Sequence, residues 1–286
     1  MKYPRIAEHR DQYPIRWMCS ALAVSSRGYR AWRSRPEPTR RQEDRRLLID
    51  IRTSFEQSDR TYGSPRVLKD LKEQGQQVSE KRIARIMQEN GITAKVKRRF
   101  KLTTQSGHNL PVHQNLLNRD FAVDRPNRVW LGDITYIRTE EGWLFLAALL
   151  DLCSRRVVGW NAADRIDRWL TLTALKQALR ARRPAPGLIH HSDQGGQYAA
   201  YEYQRCLKQA QVTPSMSRKG DCWDNAPMES FFSTLKRERV NRRRYWSRQE
   251  ATEDLGVYLD RYNHVRRHSQ LEGMSPVRYE LSRFHT

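Results

Sequence analysis

The sequence predicts an α/β domain built on a mixed five-stranded sheet flanked by helices, preceded by an all-α region that contains a helix-turn-helix. Strand-like apolar runs crowd together from residue 128 onward and then alternate with helical stretches. Helix-period apolar stripes bounded by capping residues fill the N-terminal part. A formal net charge of +21 marks a chain whose natural partner is a polyanion.

Residues 12–33 read as helical, with Ile15, Met18 and Leu22 at helix spacing; Ser25, Ser26 and Gly28 read as a break before Tyr29 and Trp32. Residues 34–41 read as a linker. Over 42–57, Leu47, Leu48, Ile51 and Phe55 form one stripe. In the next helix Ser64 reads as the N-cap, Pro65 as the first helical residue and Gly75 as the end. A second helix starts at Ser79, turns Ile83, Ile86 and Met87 inward, and closes at Asn90-Gly91. It presents Lys81, Arg82 and Arg85 outward, as a recognition helix does towards phosphates and base edges. The same pattern would also suit a helical hairpin with a solvated basic face. Lys95–Lys101 carries five basic residues in seven, including Lys97, Arg98 and Arg99, and reads as a phosphate-tracking linker. Residues 102–120 are polar and expected to be loop.

From Arg128, VWLGDITYIRT, WLFLAALLDLC and RRVVGWNAA read as three consecutive strands, with Glu140-Glu141-Gly142 as a turn. A helix is expected over 168–182, a short strand at Gly187–His191, a helix over 198–210, a strand over Val212–Met216, and helices to the end. Three strands followed by alternating helix and strand require a mixed sheet. The implied division is an N-terminal helical segment (1–35), a helix-turn-helix domain (42–101), a linker (102–121) and a core with a helical tail (122–286).

The charge is not confined to a tail: residues 1–120 hold 26 Lys/Arg against 13 Asp/Glu, and the remainder 27 against 19. Nucleic acid is the expected partner. No stretch of about 18 apolar residues exists, and the charged N-terminus is unlike a signal peptide. A cytoplasmic, nucleoid-associated protein is expected. Cys19, Cys153, Cys206 and Cys222 form no CxxC pair, so structural thiols are expected rather than zinc or disulfides.

Three carboxylates stand out. Asp133 lies inside a strand, where Asp is depleted. Asp193 follows the strand LIHH and precedes Gln194-Gly195-Gly196, at the strand end where open sheets bind ligands. Glu229 opens the helix PMESFFSTLKRERV and shares a face with Ser233 and Lys236, with Lys236 about 10 Å further along. Each alone also suits a plain role: a solvent-facing edge residue, a turn former, or an acid at a helix N-terminus. Together, three carboxylates on separate elements suit phosphodiester chemistry with two Mg²⁺ ions about 3.5–4 Å apart.

These motifs resemble the insertion-sequence transposases of the IS-three family, specifically the product of their second reading frame. WLGDITYI is similar to the first-Asp motif, HSDQGGQY to the second, and SRKGDCWDNAPMESFFSTLKRE to the Glu motif. Thirty-five residues separate Asp193 from Glu229, the family interval, and the tail YNHVRRHSQLEGMSP also matches, with Glu272 where the family often has Gly. The resemblance implies a ribonuclease-H-like integrase core with Asp133, Asp193 and Glu229 as a metal-binding catalytic triad for Mg²⁺ (Mn²⁺ as a substitute). It implies Lys236 as a contact to the element's terminal DNA, with Asn225 and Gly196 shaping the site. Implied partners are double-stranded DNA, both terminal repeats and target, and a second copy of the chain on that DNA. No leucine-zipper heptad is visible, so the resemblance is to the downstream product alone, with the upstream frame's product as a candidate partner.

The expected function is metal-dependent cleavage at the element's ends followed by strand transfer. In that chemistry no tyrosine, such as Tyr198 or Tyr262, acts as nucleophile. The alternatives are a DNA-binding regulator without catalysis and a ribonuclease of the same fold.

Overall fold

The computed structural model describes residues 2–36, 38–94, 112–218 and 222–284. The basic segment containing Lys97, Arg98 and Arg99 lies outside the described residues.

The N-terminal segment forms three short helices, α1 (Tyr3–Glu8), α2 (Ile15–Ala21) and α3 (Ser26–Ser34), closed around Ile6, Cys19 and Tyr29. Helix α1 is not foreseen by the periodicity. Ser25 starts α3 rather than breaking a helix: its hydroxyl accepts from Gly28 N at 2.9 Å. Gly28 sits within that helix because a Cβ there would lie 2.5 Å from the Tyr3 hydroxyl.

Helices α4 (Thr39–Gln57), α5 (Ser64–Glu73) and α6 (Glu80–Glu89) enclose Leu47, Ile51, Phe55, Val67, Leu71, Ile83, Ile86 and Met87. Helix α4 begins three residues before the expected start at 42. The N-cap of α5 is Gly63, and Ser64 is already helical; the Ser64 hydroxyl donates instead to Glu80 Oε1 at 3.3 Å. Ser79 caps α6 as expected, accepting from Arg82 N. Gly75 and Gly91 take positive φ after the two helices.

The core sheet contains β1 (Val129–Thr139), β2 (Gly142–Asp151), β3 (Val157–Ala163), β4 (Ile189–Ser192) and β5 (Thr213–Met216) in the order β3-β2-β1-β4-β5. β2 runs antiparallel to both of its neighbours, β1 and β3, while β4 pairs in parallel with β1 and β5 in parallel with β4. Period-two alternation sorts the side chains between two layers. Leu144, Leu146, Ala148 and Leu150 of β2 face a core shared with α10 (Ala226–Glu238) and α11 (Arg248–His264). Ala147 and Leu149 face a core shared with α7 (Arg168–Arg182) and α9 (Tyr201–Gln209). The result is the expected ribonuclease-H-like sheet between helical layers. Between β4 and β5 the chain forms two helices, α8 (Gly196–Ala199) and α9, because Ala200 at the expected helix interior takes an extended ψ of 141°.

Helix α7 lies very close to β3 because Gly159 has no side chain: a Cβ there would meet the Ala174 carbonyl at 2.3 Å and Ala178 Cβ at 2.8 Å. The last helix, α12 (Pro276–Phe284), is pinned to the sheet by its buried Glu280, which accepts from Ser154, Arg156 and Arg182 at 2.7–2.9 Å. Glu272, in the tail, adopts φ +55°, a conformation that favours the Gly common in the family. Cys19, Cys153 and Cys206 are free thiols. Among the described residues no helix is long and apolar enough to cross a membrane.

Since the group facing Gly159 is backbone and cannot rotate away, Gly159→Ala should cost about 1–3 kcal/mol of stability. Denaturant unfolding checks this; an unchanged midpoint would contradict the packing.

Candidate metal and DNA site

Two neighbouring parallel strands build the site. β1 and β4 pair from Val129 with Ile189 to Leu131 with His191, an offset of 60 residues, and the same offset relates Asp133 to Asp193. Adjacent strands lie about 4.8 Å apart, so the register directs both carboxylates to the same end of the sheet. Each is oriented by its own chain: Asp133 Oδ1 accepts from Ile134 N at 2.7 Å, and Asp193 Oδ1 from Gly195 N at 2.9 Å. The second contact closes a tight turn of the Asx kind.

Glu229 comes from the first turn of α10, where Pro227 and Met228 are buried and Glu229 is half-buried. Asn225, just before that helix, donates from Nδ2 to the Gly132 carbonyl at 3.3 Å. This ties the start of α10 to the strand residue beside Asp133. The Asn225 Oδ1 is buried without a partner among the described residues. Phe232 and Leu235 fill the core while Ser233 is exposed, so the face carrying Glu229, Ser233 and Lys236 points away from the packing. Lys236 Nζ stands 4.4 Å from the Tyr136 ring centroid, a cation–π distance.

The electrostatics join these groups. Loss of water around the half-buried Asp133 pushes its carboxyl up to about 8; the charges of Asp193 and Glu229 push the same way, against the Ile134 N–H and Lys236. Burial also raises Glu229 and lowers Lys236, the latter opposed by Asp133. Among the described residues no three Asp, Glu, His or Cys side chains form a ready-made metal cage. Mg²⁺ does not need one: it is commonly held by one or two carboxylates, with waters and substrate phosphate completing the octahedron. An all-oxygen donor set whose charges repel one another fits a hard divalent cation.

The nearby histidines are not candidate ligands. His190 Nδ1 lies 3.3 Å from the Trp130 carbonyl and its Nε2 2.7 Å from the Tyr203 hydroxyl; His191 lies between Ser215 and Ser217. Burial lowers both to about 4, so both are neutral near neutrality. As consecutive residues of β4, they anchor that strand through its two faces.

Other sequence expectations fare differently. Lys81 is exposed on α6. Arg82 and Arg85 are not free on that face: Arg82 Nε and Arg85 Nη2 both grip Asp44 of α4, at 2.7 and 2.6 Å, with further bonds to Glu43 and Glu89. The periodicity of α6 gave no sign of this contact, because Asp44 lies 38 residues before Arg82 and its approach depends on tertiary packing. Asp224 was also missed. Fully buried, it accepts from Asn115, Arg119 and Arg218, which outweigh its burial and hold its carboxyl far below the usual range. It ties the approach to β1 onto the segment that leads into α10. Its hint in the sequence was an acid directly before Asn225 and two residues after Cys222.

The chain matches the family described as "Integrase core domain" over residues 123–222, a second family of that description over 210–276, and "HTH-like domain" over 42–100. It is 44% identical over 263 residues to the "Insertion element IS600 uncharacterized 31 kDa protein" of Shigella sonnei, covering 92% of this chain and 97% of that one. It is 39% identical over 283 residues to "Transposase InsF for insertion sequence IS3A" of Escherichia coli (strain K12), covering 98% of each. Among solved structures, the HTLV-2 integrase catalytic core domain in complex with magnesium aligns at TM-score 0.45 and 16% identity, over 54% of this chain and 97% of that one.

A raised carboxyl makes ionisation oppose folding in the metal-free protein. The penalty is absent below the ordinary Asp value, grows as pH rises towards about 8, and is constant above. Asp133→Asn should therefore raise the metal-free unfolding temperature relative to wild type at about pH 8.5, with the gap narrowing towards about pH 5. A gap independent of pH would contradict the coupling.

Proposed function

For a chain that belongs to the IS3-type family of insertion-sequence transposases, with an integrase core and a helix-turn-helix-like region, we propose that Asp133, Asp193 and Glu229 form the catalytic metal site. The family acts in transposition and DNA integration, so the reaction is polynucleotidyl transfer. The observation that carries the proposal is the constant offset between β1 and β4, which relates Asp133 to Asp193 at one end of the sheet.

The three residues would hold two Mg²⁺ ions, which when bound supply activation of a water or 3′-hydroxyl and stabilise charge developing on phosphorus. The remaining work falls to the protein. Asn225 holds the start of α10 against β1 and so fixes Glu229 relative to Asp133. Lys236, braced on Tyr136, presents a cation on the Glu229 face, where a phosphate backbone crossing α10 would meet it. Direct attack by the hydroxyl needs no covalent protein–DNA link. Tyr198 and Tyr262 support this, being 2% and 3% exposed, with burial raising Tyr198 well above its usual range and Tyr262 to about 12.

We assign duplex recognition to Lys81 and the basic segment of Lys97, Arg98 and Arg99, and joining of two ends to a dimer or larger assembly on DNA. In that role Arg82 and Arg85 act first as struts that hold α6 against α4 through Asp44.

Asp133→Asn, Asp193→Asn and Glu229→Gln should each reduce Mg²⁺-dependent cleavage and strand transfer on the flanking element ends by at least about a hundredfold. Mobility shift should find DNA binding retained. Cleavage persisting in Asp133→Asn would overturn the assignment.

A further inference from the structure

The helical module of α4–α6 rests on the C-terminal part of the chain through a seam of ion pairs, and a cavity of about 70 Å³ lies in that seam. Its lining is Thr61 and Arg66 from the module and Arg237, Glu238 and Arg242 from the end of α10 and the turn after it. Three guanidinium groups thus meet one carboxylate, and that carboxylate is already engaged. Glu238 accepts from Arg266 Nε at 2.7 Å and Nη2 at 2.8 Å, in a pair whose side chains are 5% and 7% exposed, and from the Tyr258 hydroxyl at 3.1 Å. Arg66 and Arg237 approach it only to 3.7 Å, too far for a hydrogen bond.

Arg242 sharpens the imbalance. Its Nη1 donates to the carbonyls of Asp59 and Glu238, at 2.9 and 2.8 Å. Its Nε and Nη2 are buried and have no partner among the described residues. Other acids of the seam are committed elsewhere: Asp254 to Arg239 and Arg243, Asp59 to Arg239, and Asp70 and Glu73 to Arg267. Buried guanidinium donors without an acceptor are costly, and an excess of buried positive charge more so. Burial and the adjacent Arg266 and Arg237 depress the Arg66 pKa, a sign of the same unrelieved repulsion. The space exceeds the roughly 10–15 Å³ that one water requires, and its lining brings three guanidinium groups, the donors that bind a tetrahedral oxyanion, to one cavity.

We propose that this cavity binds one phosphate group through Arg66, Arg237 and Arg242, bridging the helix-turn-helix module and the catalytic domain. The group is either free phosphate or a phosphate of a DNA backbone, and the chemistry of the site is the same for both. The inference is independent of the carboxylate site and stands whether or not that site holds metal. Since its ligands come from both units, occupation would fix the module against the end of the helix that carries Glu229 and Lys236.

The test is thermal unfolding of the full chain against inorganic phosphate, with sodium chloride at matched ionic strength as the control. Saturable stabilisation of a few degrees beyond the chloride control is expected. Arg237→Gln, which removes no hydrogen bond seen here, should weaken phosphate binding about tenfold or more, and Arg66→Gln should act alike. A shift that follows ionic strength alone, or that survives in both variants, would overturn the proposal. A labelled DNA duplex distinguishes the sources. Displacement of duplex by phosphate in the wild type but not in Arg237→Gln identifies the DNA backbone; phosphate binding without displacement identifies the free anion.

Discussion

In a parallel pair of strands, residues at matched positions emerge at the same end of the sheet. Here the pairing of β1 with β4 at a fixed offset relates Asp133 to Asp193, and much of the candidate site follows from it. A slip of one residue would send a carboxylate to the opposite face. The register is held from both sides. Trp130 and Leu131 are completely buried in opposite cores, and His190 and His191 are fixed by Trp130, Tyr203, Ser215 and Ser217. Gly132 is part of the same fit, since a Cβ there would lie 2.6 Å from the His190 ring. The fold thus gathers acidic groups in a poorly hydrated place, and burial first, then the neighbouring Asp193 and Glu229, raises the Asp133 carboxyl.

Helix α10 links this site to the rest of the molecule. Its first turn carries Glu229, its last turn carries Lys236, and its last residue, Glu238, is the hub of the seam with the helical module. That seam is broad: Arg267 pairs with Asp70 and Glu73, Arg278 with Glu73, and Arg239 with Asp59, while the Tyr62 hydroxyl accepts from Arg267 N at 2.9 Å. The exposed Arg278–Glu73 pair contributes little by itself, but the Glu238–Arg266 pair is buried, and removing one partner would leave an uncompensated charge. One helix therefore carries residues of both the candidate site and the seam with the helical module.

Much of this was legible in the sequence because it is local. Ser79 caps α6 and α7 spans 168–182, each marked by side chains within a turn of the feature. The strands of the core were visible as apolar runs, and the motifs around Asp133, Asp193 and Glu229 pointed to the candidate site. What escaped was non-local or rested on fine backbone detail. Asp44 drawing in Arg82 and Arg85 depends on how α4 packs, and Asp224 gathers partners from Asn115 to Arg218. The seam joins residues about 200 positions apart. Gly28 was misread for a related reason: its missing side chain makes room for Tyr3 rather than ending a helix.

In the proposed site Asp133 and Asp193, brought together by strand register, share a divalent cation with help from Glu229. Anomalous scattering from crystals of the full chain grown with Mn²⁺ and duplex DNA tests it most directly. Mn²⁺ density between the Asp133 and Asp193 carboxylates is expected. Mn²⁺ bound elsewhere, with no density at these two residues, would contradict it.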